Sequence, residues 1–332
     1  MKKTSFIITL IFLLILNSIT IWGSPASNSG VAPLSRSASA LTKTAVKVSG
    51  TYPYFEGNSF NVNQKIQAII TANIKEEGKS STLNPNLSVS YRIEESGNIV
   101  SVILTSTSSS GSSMEKIDTV VFDNSKGSKE IIRITDDAAL GKNGIKIANK
   151  KISTTISKNP GKYNVDFSGI GVNADFYIKD NSVYLVFDKY EISPGVYGTQ
   201  EIAVDKSKIK NFKILSSEYV YGSSYNIRMI PLRKICKEGF DYDVRWHNAT
   251  PTMKNPKILI LKDNFIASLS IGINEYSKNN FTPQILEAPP EIRADANNNG
   301  ITYVPISFAE TILDLFYYVD SAGNLVFSSY EE

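Results

Sequence analysis

The sequence predicts an α+β protein of two domains, each an antiparallel sheet with one or two packed helices, after a signal peptide. Three observations carry this. An uncharged apolar run opens the chain behind two lysines. One stretch with helical spacing lies among many that alternate like strands. A strand–proline–helix pattern occurs twice in the last third.

Lys2 and Lys3 precede an uncharged run from Ser5 to Trp22, about 18 residues long, near the short end for a membrane span. A basic start, an apolar core and the small residues Ser24-Pro25-Ala26 read as a secretory signal over 1–26, cleaved after Ala26. Membrane contact follows only if the run is retained. Residues 27–45 are mostly small and polar and read as a flexible linker.

The first domain is expected over 46–220. Val46–Pro53 alternates like a strand. Val62, Ile66, Ile69 and Ile70 are spaced for a helix that Asn61 or Asn63 would cap. Leu87–Glu94 and Ile99–Thr107 alternate, and Thr119–Phe122 is a further strand ended by Asp123–Gly127. Phe176–Phe187 reads as a hairpin turning at Asp180-Asn181, and Glu201–Val204 closes the region.

The second domain is expected over 221–332, with the join near Ser216–Ser224. Met229-Ile230-Pro231 and Tyr303-Val304-Pro305 each lead into an amphipathic stretch. Proline suits a first helical turn, where its missing N–H has no partner to lose. Tyr242–Trp246, Lys257–Leu261 and Ala267–Ile271 form a strand meander. Phe316–Val319 and Leu325–Phe327 are joined at Ala322–Asn324. Leu232, Ile235, Phe308, Ile312 and Leu315 are the expected core, Trp246 is expected to be buried, and residues 225–332 are expected to fold alone.

Composition narrows the function. A hydrophobic fraction of 42% excludes wholesale disorder. One His and one Cys exclude a His-rich metal site, an internal disulfide and a cysteine zinc site, and no cofactor is expected. Cys236, in an amphipathic stretch, reads as a buried structural thiol. A net charge of +3 is too small for a nucleic-acid footprint. The disulfide-free style, rich in Lys, Ile and Asn, fits an exported Gram-positive product.

Two resemblances add to this. Tyr52-Pro53 before the Asn61–Ile70 helix, the Ile99–Val102 strand, the Asp123–Gly127 turn and Phe176–Ile209 resemble the extracytoplasmic domain of anti-sigma-V factors. The same module accompanies some peptidoglycan deacetylases. Phe187–Gly198 carries the most specific part, a Tyr-Glu-Ile turn and a Gly-rich loop. Thr107–Ser113 departs from the family's Gly-Gly-Ala-His turn, and no deacetylase domain is present. The second domain resembles the copper amine oxidase N-terminal-like, or stalk, domain. The matching residues are Ile230-Pro231-Leu232-Arg233, Val244-Arg245-Trp246, Leu286–Pro290 and Thr302–Pro305. Tyr276–Asn280 and Ile306-Ser307-Phe308 depart from its pattern. Despite that family's name, no copper site is implied.

The resemblances imply a non-catalytic protein of the cell envelope, secreted or held at the surface, with a stalk for attachment. Its partner would be a cell-wall glycan or a secreted protein such as a muramidase. Aromatic residues cluster at Tyr184–Tyr197 and Tyr219–Tyr225, largely for packing. The candidate binding edge is Tyr190, Glu191, Ser193, Tyr197 and Gly198, because tyrosine serves both sugar stacking and protein recognition. The alternative is a peptidoglycan-modifying enzyme using paired carboxylates such as Glu191 and Glu201.

Other motifs have plainer readings. Asp295-Ala296-Asn297-Asn298-Asn299-Gly300 opens like a calcium loop, but Ile306 stands where the closing ligand belongs, so a hairpin turn is expected. His247 near Asp241 and Asp243 reads as a loop residue. The Ser-x-x-Lys spacings at Ser113/Lys116 and Ser207/Lys210 lack their companion motifs.

Overall fold

The computed structural model describes residues 33–42, 46–57, 59–79, 85–108, 114–125, 129–221, 226–279 and 282–331. The expected signal segment lies outside these residues, as does part of the expected linker. Among the described residues no helix is long and apolar enough to cross a membrane.

The N-terminal unit begins with a six-stranded sheet in simple sequence order. Its strands are β1 (Leu34–Ser37), β2 (Lys47–Tyr54), β3 (Asn86–Ser96), β4 (Ile99–Ser108), β5 (Met114–Asp123) and β6 (Glu130–Ile131). The β1 strand corrects the linker expectation. It pairs antiparallel with β2, Arg36 stacks 3.2 Å over the Tyr54 ring, and Ala38 is fully buried. Between β2 and β3 runs α1 (Phe60–Glu77), and this crossover makes β2–β3 the parallel pair of the sheet. Val62, Ile66, Ile70 and Ile74 fall on one face of α1 and are buried against Val89, Val102, Leu104 and Phe122. Asn63 does not cap the helix. Its side chain accepts from Phe55 N at 2.9 Å and donates to Phe55 O at 2.6 Å, pinning the chain just before the helix.

A second helix, α2 (Gly144–Lys158), is absent from the sequence reading. It buries Ile147, Ala148, Ile152 and Ile156. Three strands follow, β7 (Phe176–Lys179), β8 (Ser182–Phe187) and β9 (Gln200–Asp205), and form a small antiparallel sheet with the expected turn at Asp180-Asn181. This sheet is a middle layer. Phe176, Ile178, Val183, Leu185 and Phe187 face α2, while Tyr177 and Val186 meet Ile103 and Ile117 of the larger sheet. Strand alternation thus supplies two cores from one hairpin.

The C-terminal unit uses β10 (Ile209–Ile214), β11 (Val220–Tyr221), β12 (Arg228–Pro231) and the meander β13 (Asp243–His247), β14 (Lys257–Lys262), β15 (Phe265–Ser270), β16 (Ile273–Lys278) and β17 (Gln284–Ile285). After these come β18 (Glu291–Ala294), β19 (Gly300–Pro305), α3 (Ile306–Thr311), β20 (Phe316–Val319) and β21 (Leu325–Tyr330). The two strand–proline pieces pair with each other, Met229 opposite Pro305 and Pro231 opposite Tyr303. A π-helical turn (Lys234–Gly239) follows one and α3 follows the other. All five expected core residues are buried, as is Cys236, and burial pushes its thiol pKa up.

Two expectations fail here. Trp246 is on the core side of β13, opposite the buried Ile258, but β13 is the edge strand of its sheet. The indole is 39% exposed and donates to Asn248 Oδ1 at 2.8 Å. The join also moves. β10 lies before Ser216–Ser224, yet it pairs along its whole length with β21, so the chain enters the C-terminal sheets after Lys206–Lys208. Tyr330 at the end of β21 packs in the α2 core. Asn143 donates to Ser328 Oγ at 2.8 Å, and Ser328 donates to Asn211 Oδ1 at 2.6 Å.

The calcium-like segment is the β18–β19 turn. Asp295 Oδ1 accepts from the backbone of Asn297 and Asn299, both at 2.8 Å. Asp320 does the same for Ala322 and Asn324 between β20 and β21. These Asx turns satisfy loop donors locally.

Candidate functional site

The segment Asp188–Thr199 links β8 to β9, whose ends meet where Phe187 pairs with Gln200. A long excursion between paired strands needs its own fastenings, and each lies in the chain. Asp188 Oδ1 accepts from Ile117 N at 2.7 Å, and Lys189 N donates to Glu115 O at 3.2 Å, so the base is tied to β5. Ile192 is fully buried in the α2 core, and its carbonyl accepts from Asn164 N at 2.9 Å. Gln200 Nε2 donates to Tyr197 O at 2.6 Å and Thr199 O at 2.9 Å.

Backbone geometry explains the residue choices. Gly198 adopts φ 66 and ψ −156, a conformation that essentially only glycine takes. Gly195 lies against the Tyr190 ring, so closely that a Cβ there would come within 2.0 Å of it. Tyr190 itself has φ 75, which is strained for a bulky residue and is held by these contacts.

The five sequence candidates separate into roles. Tyr190 and Tyr197 reach solvent, 47% and 46% exposed. Gly198 supplies backbone shape. Ser193 is buried, and its Oγ has no hydrogen-bond partner among the described residues. Glu191 is exposed and folds back along the loop, its Oε2 accepting from Asp188 N at 2.8 Å. Val196, which the sequence reading passed over, is 86% exposed between the two tyrosines. Its signal was its place: a β-branched apolar residue between Gly195 and Gly198, outside any strand alternation.

Charged groups anchor the loop's foundation. β6 pairs only with Phe122 and Asp123, which leaves most of the β5 edge open. Two carboxylates close it. Asp188 takes Ile117 N, and Asp175 Oδ1 accepts from Thr119 N at 2.6 Å and Thr119 Oγ1 at 2.9 Å. Burial raises the pKa of Asp175 to about 6, helped by the neighbouring Asp118 carboxylate and opposed by the Thr119 bonds. Burial also raises Asp188 to about 6, against the bond from Ile117. Glu201 is held elsewhere. Arg92 reaches it at 2.5 Å, the Tyr177 hydroxyl donates to it at 2.8 Å, and the Arg92 guanidinium covers the Tyr177 ring at 4.6 Å. Glu191 and Glu201 therefore serve separate local contacts.

Residues 60–207 match the family described as "Protein of unknown function (DUF3298)". The match runs from α1 through β9, so it holds the whole 188–199 loop and stops before β10. Neither the anti-sigma-V sensor nor the copper amine oxidase N-terminal-like domain is the matched family. Two crystal structures of DUF3298 proteins are similar. The one from Pseudomonas aeruginosa PAO1 is 12% identical with a TM-score of 0.36, covering 52% of this chain and 87% of its own. The one from Bacteroides fragilis NCTC 9343 is 9% identical with a TM-score of 0.33, covering 53% and 89%. No curated protein matches the chain.

Proposed function

We propose that this is an exported cell-envelope protein that captures a secreted protein, of the muramidase type, through the 188–199 loop. The C-terminal unit then acts as stalk and attachment module. The observation that carries this is the pairing of a fastened loop base with an apolar tip, Val196 at 86% exposure flanked by Tyr190 and Tyr197. An apolar residue displayed on a preorganised loop suits a pocket on a partner, because little entropy is lost on docking.

A protein is favoured over a glycan by the state of Tyr190. Sugar stacking needs an open ring face. Gly195 packs on this ring, and Lys189 Nζ sits 5.3 Å from its centroid. Binding of the chain to a soluble lysozyme and to purified peptidoglycan, by calorimetry and sedimentation, tests the reading. Saturable lysozyme binding is expected, weakened about tenfold or more by Val196→Asp or Tyr197→Ala. Binding indifferent to both changes would refute the loop's role. Release of sugars or acetate from peptidoglycan, abolished by Glu191→Gln, would replace it with the enzymatic reading.

A further inference from the structure

Asn73 lies on the same face of α1 as Ile66, Ile70 and Ile74 and is only 5% exposed. A carboxamide buried there needs partners, and the sheet supplies three. Lys116 Nζ donates to Asn73 Oδ1 at 3.0 Å. Asn73 Nδ2 donates to Asp118 Oδ2 at 2.7 Å and to Ser106 Oγ at 3.1 Å. Lys116 and Asp118 stand two residues apart on β5, so their side chains share one face, and Ser106 of β4 is opposite Lys116. The amide's oxygen and its nitrogen are both engaged, which holds the group in one orientation.

A primary amine, a carboxamide and a carboxylate that reaches both are the parts of an amide exchange. Asp118 meets the amide nitrogen through Oδ2, and its Oδ1 is 3.9 Å from Lys116 Nζ. We infer that Lys116 and Asn73 form an intramolecular isopeptide bond, with Asp118 relaying the protons, and that this bond ties α1 covalently to β5. Asp118 takes a proton from the Lys116 ammonium, and the neutral amine attacks Asn73 Cγ. An Nζ–Cγ bond forms and the Cγ–Nδ2 bond breaks, while Asp118 passes protons from Nζ to Nδ2. The departing nitrogen leaves as ammonium, the chain loses one positive charge, and Asp118 ends as the carboxylate it began.

Burial lowers the Lys116 pKa, but Asp118, Glu76 and Asp188 outweigh it and raise it overall, so the resting group is an ammonium. The carboxylate beside it supplies the acceptor for that proton. Glu76, its other ion-pair partner at 3.5 Å, is 74% exposed and holds it only weakly. The reaction also has to run just once per chain. Groups fixed beside each other act at effective molarities of about 10⁵ M or more, which compensates for a small fraction of free amine.

Mass spectrometry of the purified full chain tests this without any variant, so misfolding of a mutant cannot mask the result. The chain should be lighter by one ammonia than its sequence, counted from the N-terminus it carries. A tryptic digest should hold a branched peptide joining the segments of Asn73 and Lys116. Lys116→Arg and Asn73→Ala should each carry the full mass and lack that peptide. Asp118→Asn should stay unlinked while circular dichroism shows the fold intact. Full sequence mass in the folded, unaltered chain would overturn the inference, as would ammonia lost at another site or a bond that forms as completely in Asp118→Asn. None of these readouts involves the 188–199 loop, so this result is distinct from failure of the loop proposal.

Discussion

The two units solve the same packing problem with different chemistry. In the N-terminal unit a small apolar contact between the sheets, Tyr177 and Val186 against Ile103 and Ile117, is supplemented by polar groups: Asp175 and Asp188 on the β5 edge, and Ser101 Oγ accepting from Ile178 N at 3.0 Å. In the C-terminal unit the joint is apolar, with Leu232, Ile258, Tyr276, Phe308 and Phe327 in one continuous core. An apolar joint needs only shape and volume. A polar joint also fixes register and direction, because each bond has one partner. The loop grows from the polar joint, and the apolar unit carries its repeated strand–proline pieces on a plain core.

The largest test of this contrast removes β10. Ile214 is fully buried and Phe212 packs against the same core, so a fragment starting at Tyr225 lacks both and uncovers β21. The loss, about 5 kcal/mol, is comparable to the whole stability of such a domain. A fragment starting at Lys206 should melt cooperatively, and one starting at Tyr225 should not. Equal transitions for both would show that β10 is dispensable.

The polar joint should carry a pH dependence that the apolar one lacks. Asp175 titrates near 6 when folded, against an ordinary value of 3.8, so between these values the folded state holds more protons. Stability from this group is complete below about pH 4 and falls as pH rises through about 6, by about 3 kcal/mol. Asp175→Asn, which keeps an acceptor for Thr119, should flatten this slope and raise stability at neutral pH. Asp175→Ala leaves Thr119 N without its acceptor and should destabilise at every pH. Denaturant unfolding from pH 4 to 8 reads all three, and an unchanged slope in the Asn variant would remove Asp175 from the account.

A smaller effect is expected at the two Asx turns of the C-terminal unit. Asp295→Ala and Asp320→Ala each delete the acceptor of two backbone donors and should cost about 1 kcal/mol. Calcium or chelator should leave the melting temperature of the unaltered chain where it was. A rise with calcium that Asp295→Ala abolishes would restore the metal reading of that segment.

What was legible in the sequence follows from the range of each interaction. The Phe176–Phe187 hairpin, the β4 alternation and both strand–proline pieces are written within a few neighbouring residues, and all are found. Helix α2 was hidden because Thr154 and Thr155 weaken helical propensity locally. In the fold their hydroxyls donate back to Lys150 O and Lys151 O at 3.0 and 2.8 Å. Ala38 looked like linker because a small residue shows no periodicity, although it is fully buried. The β10–β21 pairing joins segments over a hundred positions apart and leaves no local mark. Alternation along 242–246 gives Trp246 the core face, but that β13 is an edge strand is decided by pairing with strands outside that segment. At the loop, the tyrosines were visible by composition. The backbone contact of Glu191, the burial of Ser193 and the exposure of Val196 depend on how the backbone turns at Tyr190 and Gly198.

The central claim is that recognition belongs to the loop on the polar joint. Hydrogen exchange on the full chain, alone and saturated with lysozyme, tests it most directly. Val196→Asp and Tyr197→Ala should change stability by less than about 0.5 kcal/mol, since both side chains lie at the surface, so loss of binding cannot be blamed on unfolding. The account predicts new protection concentrated in 188–200 and the adjoining start of β5, absent in the Val196→Asp variant. Protection confined to the C-terminal unit, or none in 188–200 while lysozyme is bound, would contradict it.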